Sequence, residues 1–225
     1  MASLKICLLV ICINFFSLNL FGQDNLVSVY PTFISGAYTD KRWNLKQGNP
    51  FIILDLPIIK NKFYSEIRYN YDQLNTLSIY GGIIFSLSKK TAQVLTPQIG
   101  FLYGDYKGVS LQLYYQFINK RVEINFQNQY GISFNKLSNF YFNWSDIQFP
   151  ITKKIKVGGS VQIYSAKELN TSDFGLLVTY KSGNWIVALY SFDFYELPKH
   201  FFAFGIQKAF SFKLCNNSLN KTTNR

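Results

Sequence analysis

Large apolar residues alternate with small or polar residues in short segments from position 25 to position 212, and this alternation restricts the possible folds most strongly. Strand side chains point alternately to opposite faces of a sheet, so each such segment has one apolar and one polar side. Residues 107–117 show the pattern best, with Val109, Leu111, Leu113, Tyr115 and Phe117 on one side and Ser110, Gln112, Tyr114 and Gln116 on the other. The pattern predicts an all-β chain of two-faced strands.

An apolar leader precedes these segments. Lys5 is followed by an apolar run over residues 6–21, and a polar stretch begins immediately after it. A membrane-spanning helix needs about 20 predominantly apolar residues, whereas this run is shorter and contains two asparagines. We therefore interpret residues 1–22 as a secretory signal peptide that is cleaved near Gly22, with a membrane anchor as the alternative.

The chain is basic and rich in aromatic residues. It has 23 Lys and Arg against 12 Asp and Glu, a net charge of +11, and it contains 22 Phe, 16 Tyr and 3 Trp. Loss of the leader removes Lys5 and no acid, and Cys215 is then the only cysteine, which excludes an internal disulfide framework. A nucleic-acid-binding surface could have this composition. The basic residues cluster in short predicted turns, however, so we expect no nucleic-acid partner.

The segments predict about twelve strands, with ten as the alternative count. An even count suits an up-and-down antiparallel transmembrane β-barrel with both termini on the periplasmic side. Short turns should then follow the even strands, and longer loops such as 34–49, 167–172 and 196–199 should follow the odd ones. The strands are predicted at residues 25–33, 50–59, 62–72, 76–88, 92–104, 107–119, 121–132, 138–149, 154–165, 173–181, 185–195 and 200–212.

Charged residues within these strands should face the lumen of such a barrel. An Arg or Lys on the lipid side costs about 2 to 4 kcal/mol at the bilayer midplane, and Asp or Glu costs less. The lumen candidates are Asp55, Glu66, Arg68 and Glu123, because each lies opposite an apolar set. In the third strand we expect four residues to face lipid: Phe63, Ile67, Tyr69 and Tyr71.

Two segments fit this scheme less simply. Pro97 lies inside a predicted strand, where it removes a ladder donor, so we expect a bulge or a late strand start there. The segment 139–149 carries aromatic residues on both faces, and its alternation leaves the register open.

The closing segment 201–212 carries a family resemblance. Its alternate residues Phe202, Phe204, Ile206, Phe210 and Phe212 resemble the final strand of outer-membrane β-barrel proteins. With the leader and the aromatic, short-turned strands, the chain most resembles small uncharacterised barrels of the Bacteroidota. The resemblance implies that the barrel assembly machinery recognises Phe210 and Phe212. It also implies a barrel over residues 23–212 in the outer membrane of a Gram-negative cell, in contact with membrane lipid and lipopolysaccharide, followed by a polar tail at 213–225.

Residues suited to catalysis are sparse. His200 is the only histidine, and its neighbours Ser191 and Asp193 are the partners it could use as a general base. We see no metal-ligand cluster and no cofactor motif, so we expect neither a metal nor a cofactor. The sequence favours a passive channel for small solutes or a structural surface barrel, and not an enzyme. The alternatives are a lipid-modifying or proteolytic barrel enzyme that uses His200, and a secreted soluble β-sandwich binding protein.

Overall fold

The computed structural model describes residues 26–38, 50–88, 91–195 and 200–213. All regular structure in these ranges is β-strand, and no helix in them has the length and apolar composition needed to cross a bilayer. The predicted leader lies outside the described residues, as does the tail beyond residue 213.

Fifteen strand segments build one sheet. Three consecutive pairs, β1 with β2, β5 with β6 and β14 with β15, continue one another, so the chain forms twelve barrel strands. The segments are β1 (Leu26–Val29), β2 (Thr32–Tyr38), β3 (Pro50–Lys60), β4 (Phe63–Tyr69), β5 (Thr76–Ile83), β6 (Phe85–Ser88), β7 (Ala92–Gly104), β8 (Gly108–Ile118), β9 (Glu123–Ser133), β10 (Phe140–Pro150), β11 (Ile155–Ala166), β12 (Asn170–Ser182), β13 (Trp185–Phe192), β14 (Phe201–Lys208) and β15 (Phe210–Lys213).

The sheet closes on itself. All pairings are antiparallel, and the last strand returns to the first, with β14 beside β2 and β15 beside β1. Closure gives each of the twelve barrel strands a neighbour on both sides, which is what a β-structure needs in a solvent that offers no hydrogen bonds. The predicted twelve-strand antiparallel barrel is confirmed, and a sandwich of two sheets is excluded.

The barrel has an apolar outside and a polar inside. On β7, Ile99 is 53% exposed and Phe101 is 66% exposed, whereas the alternating Thr96 and Gln98 are buried. The side chains of β8 alternate in the same way, with Leu111 outside and Ser110 buried. This is the reverse of a soluble protein, and it matches the apolar exterior of a barrel that spans lipid.

The register of β10, which the sequence left open, places Phe140, Phe142 and Trp144 in the lumen. The second half of the strand decides it, because Ile147 and Phe149 face outward and Gln148 is buried inside. Gly131 lies opposite Phe140, and a Cβ atom there would come within 2.2 Å of the phenylalanine ring. The glycine therefore makes room for an aromatic side chain inside the wall.

The third barrel strand is shorter than predicted, and Tyr71 does not face lipid. β4 ends at Tyr69, because Asn70 takes a left-handed φ of 59° that interrupts the alternation. Phe63, Ile67 and Tyr69 do lie outside, and the chain from Asn70 to Asn75 turns into the lumen. The prediction for Tyr71 is wrong because it assumed that the strand period continued past Asn70.

Two predicted loops are shorter than expected. Residues 34–38 continue β2 and pair with β3 and β14, and the rest of the predicted loop 34–49 lies outside the described residues. Residues 170–172 belong to β12, where Ser165 donates its hydroxyl to Asn170 Oδ1 at 2.5 Å across the pair. Polar residues at the barrel rim still join the ladder because their backbone groups need partners. The loop predicted at 196–199 also lies outside the described residues.

Pro97 lies within a continuous strand, so the expected bulge or late start is not found at that position. The ladder to β7 is broken instead on the facing strand, between the pairs Gly82–Gln98 and Phe85–Leu95. Pro97 has no amide hydrogen to donate, and the interruption of the ladder falls at this residue. A register shift does occur nearby, between Ser86 and Ser88.

The connections fall at two ends of the barrel. Short turns at 61–62, 119–122, 151–154 and 183–184 lie at the same end as Leu26 and Lys213, which pair with each other. We call this the terminus end. The connections at 70–75, 105–107, 134–139 and 167–169 lie at the opposite end, which we call the loop end.

The closing strand β15 generates a prediction about assembly. Phe210 pairs with Val29 and Phe212 with Val27, and their rings stack 6.2 Å apart. We expect Phe210→Ala combined with Phe212→Ala to lower the amount of folded barrel in the outer membrane severalfold without reducing export, as measured by fractionation and heat-modifiable gel migration.

The matched control is Phe202→Ala combined with Phe204→Ala, which removes two outward phenylalanines from β14. An equal loss of folded barrel in both double variants would contradict the prediction. It would show that outward aromatic residues in general support assembly, and that the closing strand carries no special signal.

Candidate functional site: the barrel lumen

A buried arginine lies inside the lumen. Arg68 is 2% exposed, and its guanidinium donates to Glu66 Oε2 at 2.5 Å, Gln112 Oε1 at 2.8 Å and Asp72 Oδ1 at 3.3 Å. Its central carbon also lies 4.5 Å from the ring centroids of Tyr71 and Tyr80. Two carboxylates and two rings thus surround one cation, an arrangement that suits the planar guanidinium.

The segment from Asn70 to Asn75 is held inside the barrel by this cluster and by the facing wall. Asp72 accepts from Gln129 Nε2 at 2.7 Å, and the Tyr71 hydroxyl donates to Gln127 Oε1 at 2.9 Å. Gln73 Nε2 donates to the hydroxyl of Tyr164 at 2.6 Å. We call residues 70–75 the inward segment, because three successive side chains of it bond to β9 or β11 across the lumen.

The inward segment separates two cavities. A chamber of about 500 Å³ lies on the terminus side, lined by side chains near that rim such as Ile59, Glu123 and Gln207. A smaller cavity of about 80 Å³ lies on the loop side, against the inward segment itself. Ile34, Tyr71 and Trp144 line both cavities. The partition between them is therefore one layer of side chains thick.

Aromatic side chains fill much of the loop-side half. Tyr106 meets Phe140 edge-on at 5.2 Å between centroids, Phe140 stacks on Tyr164 at 5.8 Å, and Phe192 stacks on Phe201 at 4.8 Å. The terminus-side half is wider and more polar. The lumen is thus narrow towards the loops and open towards the termini.

The structure places all four predicted charge candidates in the lumen. Asp55 and Glu123 line the terminus-side chamber, Glu66 binds Arg68, and Asp55 Oδ1 lies 4.0 Å from Arg68 Nε. The cluster joins Asp55, Glu66 and Arg68, whereas Glu123 lies apart and pairs with Lys156.

Inward acids outnumber inward bases in the described part of the chain. The acids are Asp55, Glu66, Asp72, Glu123, Asp146 and Asp173, against Arg68 and Lys156 within the lumen and Lys181 at its rim. The net charge of +11 for the whole chain therefore does not describe the lumen. Lysines in the turns and at the rims contribute much of it.

Sequence reasoning missed three important lumen residues, Tyr71, Trp144 and Asp146. Trp144 stacks on Tyr71 at 6.0 Å, and its indole nitrogen donates to Asp146 Oδ1 at 3.1 Å. The two β10 residues are two positions apart, so they share a face whichever register the strand adopts. That spacing was the signal in the sequence from which their proximity could have been predicted.

The residues considered for catalysis lie near the loop end. Ser191 Oγ and His200 Nε2 are 3.0 Å apart, and Ser191 faces outward because the flanking Tyr190 and Phe192 point inward. Asp193 Oδ1 accepts from the backbone amide of Phe174 at 3.1 Å and from the Tyr195 hydroxyl at 3.3 Å. The structure thus brings Ser191 and His200 together on the outer face.

Known structures resemble this barrel in fold. The KdgM porin superposes with a TM-score of 0.56 at 10% sequence identity, over 80% of this chain and 99% of the porin. The KdgM porin in complex with disordered oligogalacturonate gives the same values. The NanC porin gives a TM-score of 0.52 at 8% identity, over 82% of this chain and 100% of the porin. No protein-family model and no curated sequence matches the chain.

The Arg68 cluster generates a prediction about ion preference. Arg68→Gln removes the positive charge that faces Glu66 and Asp72, so the local potential falls and any ion current should shift towards cations. Breaking a buried pair also costs about 3 to 5 kcal/mol, so the thermal stability of the barrel should drop. Reversal potentials across a planar bilayer in a KCl gradient measure the first effect.

Arg68→Lys is the matched control, because it keeps the charge and loses the forked geometry. It should retain the ion preference of the original protein. Glu66→Gln should shift the preference the other way, and a shift towards anions in Arg68→Gln would contradict the prediction.

Proposed function

We propose that this protein is an outer-membrane channel for small solutes and has no catalytic role. The observation that carries the proposal is the pair of lumen cavities that meet at a single side-chain layer, formed by Ile34, Tyr71 and Trp144. A barrel packed solid for purely structural ends would not need a chamber of about 500 Å³ inside it. The apolar exterior and the fold shared with two porins support the membrane location.

The solute is small because the layer is narrow. Tyr71 and Trp144 lie face to face at an interplanar angle of 25°, and Tyr71 is further tied to Gln127 and to Arg68. A solute can pass only around the edge of this layer, or after its side chains rotate. We therefore propose low conductance in the resting state, with permeability set by the layer and selectivity set by the inward charges.

The oligogalacturonate named with the KdgM porin does not transfer readily to this chain. Oligogalacturonate is a polyanion, and the lumen described above has more acids than bases. Like charges repel strongly where solvent screening is weak. We propose neutral or cationic small solutes instead.

Widening the layer should raise the conductance. Tyr71→Ala and Trp144→Ala each remove a ring from the partition, and we expect a severalfold rise in single-channel conductance in planar bilayers. Tyr103→Ala is the control, since this tyrosine faces outward and is 61% exposed. Absence of any conductance in the original protein and in both layer variants would contradict the channel and favour a structural surface barrel whose function lies in the connection between β2 and β3.

The contact between Ser191 and His200 favours a second candidate function, hydrolysis of a lipid ester at the outer face. A serine hydroxyl within hydrogen-bond reach of a histidine ring is the arrangement that activates a nucleophile. The channel proposal predicts no fatty-acid release from phospholipid vesicles that contain the folded protein. Fatty-acid release that His200→Ala and Ser191→Ala both abolish would contradict the channel proposal and favour a lipid hydrolase. Ser165→Ala, at another rim position, is the control and should keep that release.

A further inference from the structure

The terminus-side chamber combines aromatic walls with carboxylates. No Lys or Arg side chain among the described residues lines it, and its acids are Asp55, Glu123 and Asp146. Its volume of about 500 Å³ falls within the range of roughly 300 to 1,000 Å³ that small-molecule sites occupy. Six aromatic side chains line it: Tyr30, Tyr64, Tyr71, Tyr114, Trp144 and Tyr190.

Trp144 and Asp146 form the centre of this lining. The indole stacks on Tyr71 at 6.0 Å and meets Tyr190 edge-on at 5.5 Å, so its plane is fixed by two rings. Its nitrogen donates to Asp146 Oδ1 at 3.1 Å, and Ser160 Oγ donates to the same oxygen at 2.6 Å. An aromatic face and a carboxylate are thus held side by side in one wall of the chamber.

Asp146 differs from the other two acids in its partners. Glu123 forms an ion pair with Lys156, and Asp55 lies 4.0 Å from Arg68. Asp146 receives hydrogen bonds from the neutral Trp144 and Ser160, and it has no ion-pair partner in the described part of the chain. Its negative charge is therefore available to a ligand.

Gln127 carries an unpaired donor beside the chamber. Its side chain lines the chamber and is 8% exposed, and Oε1 accepts from the Tyr71 hydroxyl. Nε2 has no hydrogen-bond partner in the described structure. A buried donor without an acceptor is costly, and because Nε2 itself is shielded from the chamber, a hydroxyl or carbonyl oxygen of a ligand would reach it once the amide turns inward.

These features select one ligand class. A carboxylate beside aromatic faces attracts a cation with an apolar body, since the ring quadrupole and the charge act together. A hard metal ion prefers six or more oxygen ligands and gains little from rings. An anion is repelled, and a neutral solute gains nothing from the charge.

We infer that the terminus-side chamber binds a small organic cation, an amine or quaternary ammonium that also carries a hydrogen-bond acceptor. Trp144 and Asp146 hold the cationic group, and the Gln127 amide turns inward to donate to the acceptor. The inference rests on the proposed channel function, of which it names the solute class, although binding can be measured without transport.

Isothermal titration calorimetry on the folded full-length barrel in detergent tests this directly. Choline chloride supplies a quaternary ammonium and a hydroxyl, and 3,3-dimethylbutan-1-ol is its neutral isostere. Saturable binding of choline, with the isostere bound at least tenfold more weakly, is expected. Equal affinities for the two compounds, or no saturable binding of choline, would overturn the inference without any need for a variant.

Variants then assign the site. Asp146→Asn should weaken choline binding by roughly tenfold or more, because it removes a charged partner and keeps the shape. Asp173→Asn is the matched control, since Asp173 is an inward acid that does not line the chamber, and it should leave the affinity unchanged. Equal weakening in both variants would show a general charge effect and overturn the assignment.

The two proposals fail separately. Choline binding in detergent without conductance in bilayers would support the organic-cation site and contradict the channel proposal. Conductance without preferential choline binding would support the channel proposal and contradict the organic-cation site.

Discussion

The internal architecture of this barrel depends on how one buried guanidinium is neutralised. An isolated charge in a site of low dielectric constant is unfavourable by many kcal/mol, so Arg68 must be surrounded by acceptors. Its acceptors come from β4, from β8 and from the inward segment. Because Asp72 belongs to that segment, pairing the arginine also holds residues 70–75 inside the barrel. Tyr71 is then placed against Trp144, and the lumen is divided into two chambers.

A membrane barrel must satisfy opposite demands on its two faces. The outside is apolar because it faces lipid, and every backbone group in the spanning region must find a partner within the closed sheet. Charges within the strands therefore concentrate inside, where they can pair with one another. Among the described residues the inward charges are mainly acidic although the chain as a whole is basic, so the sign of the net charge is a poor guide to the sign of the lumen.

Alternation was sufficient to predict the strand number and the closure, and it led us to expect Asp55, Glu66, Arg68 and Glu123 inside the lumen. These features follow from a period of two residues, which lipid on one side and water on the other enforce. The position of Tyr71 could not be predicted in this way, because the left-handed Asn70 breaks the period. Nor could alternation show that Trp144 stacks on Tyr71, because that contact joins residues 73 positions apart across the lumen.

The central claim is that the inward charges, and not the net charge of the chain, set the electrostatic character of the lumen. The reversal potential of the unmodified protein in a planar bilayer, under a KCl gradient at neutral pH and low ionic strength, tests it most directly. A preference for K⁺ over Cl⁻ that weakens as salt is added is expected, since salt screens the exposed part of the acidic lining. A preference for Cl⁻ would contradict the claim.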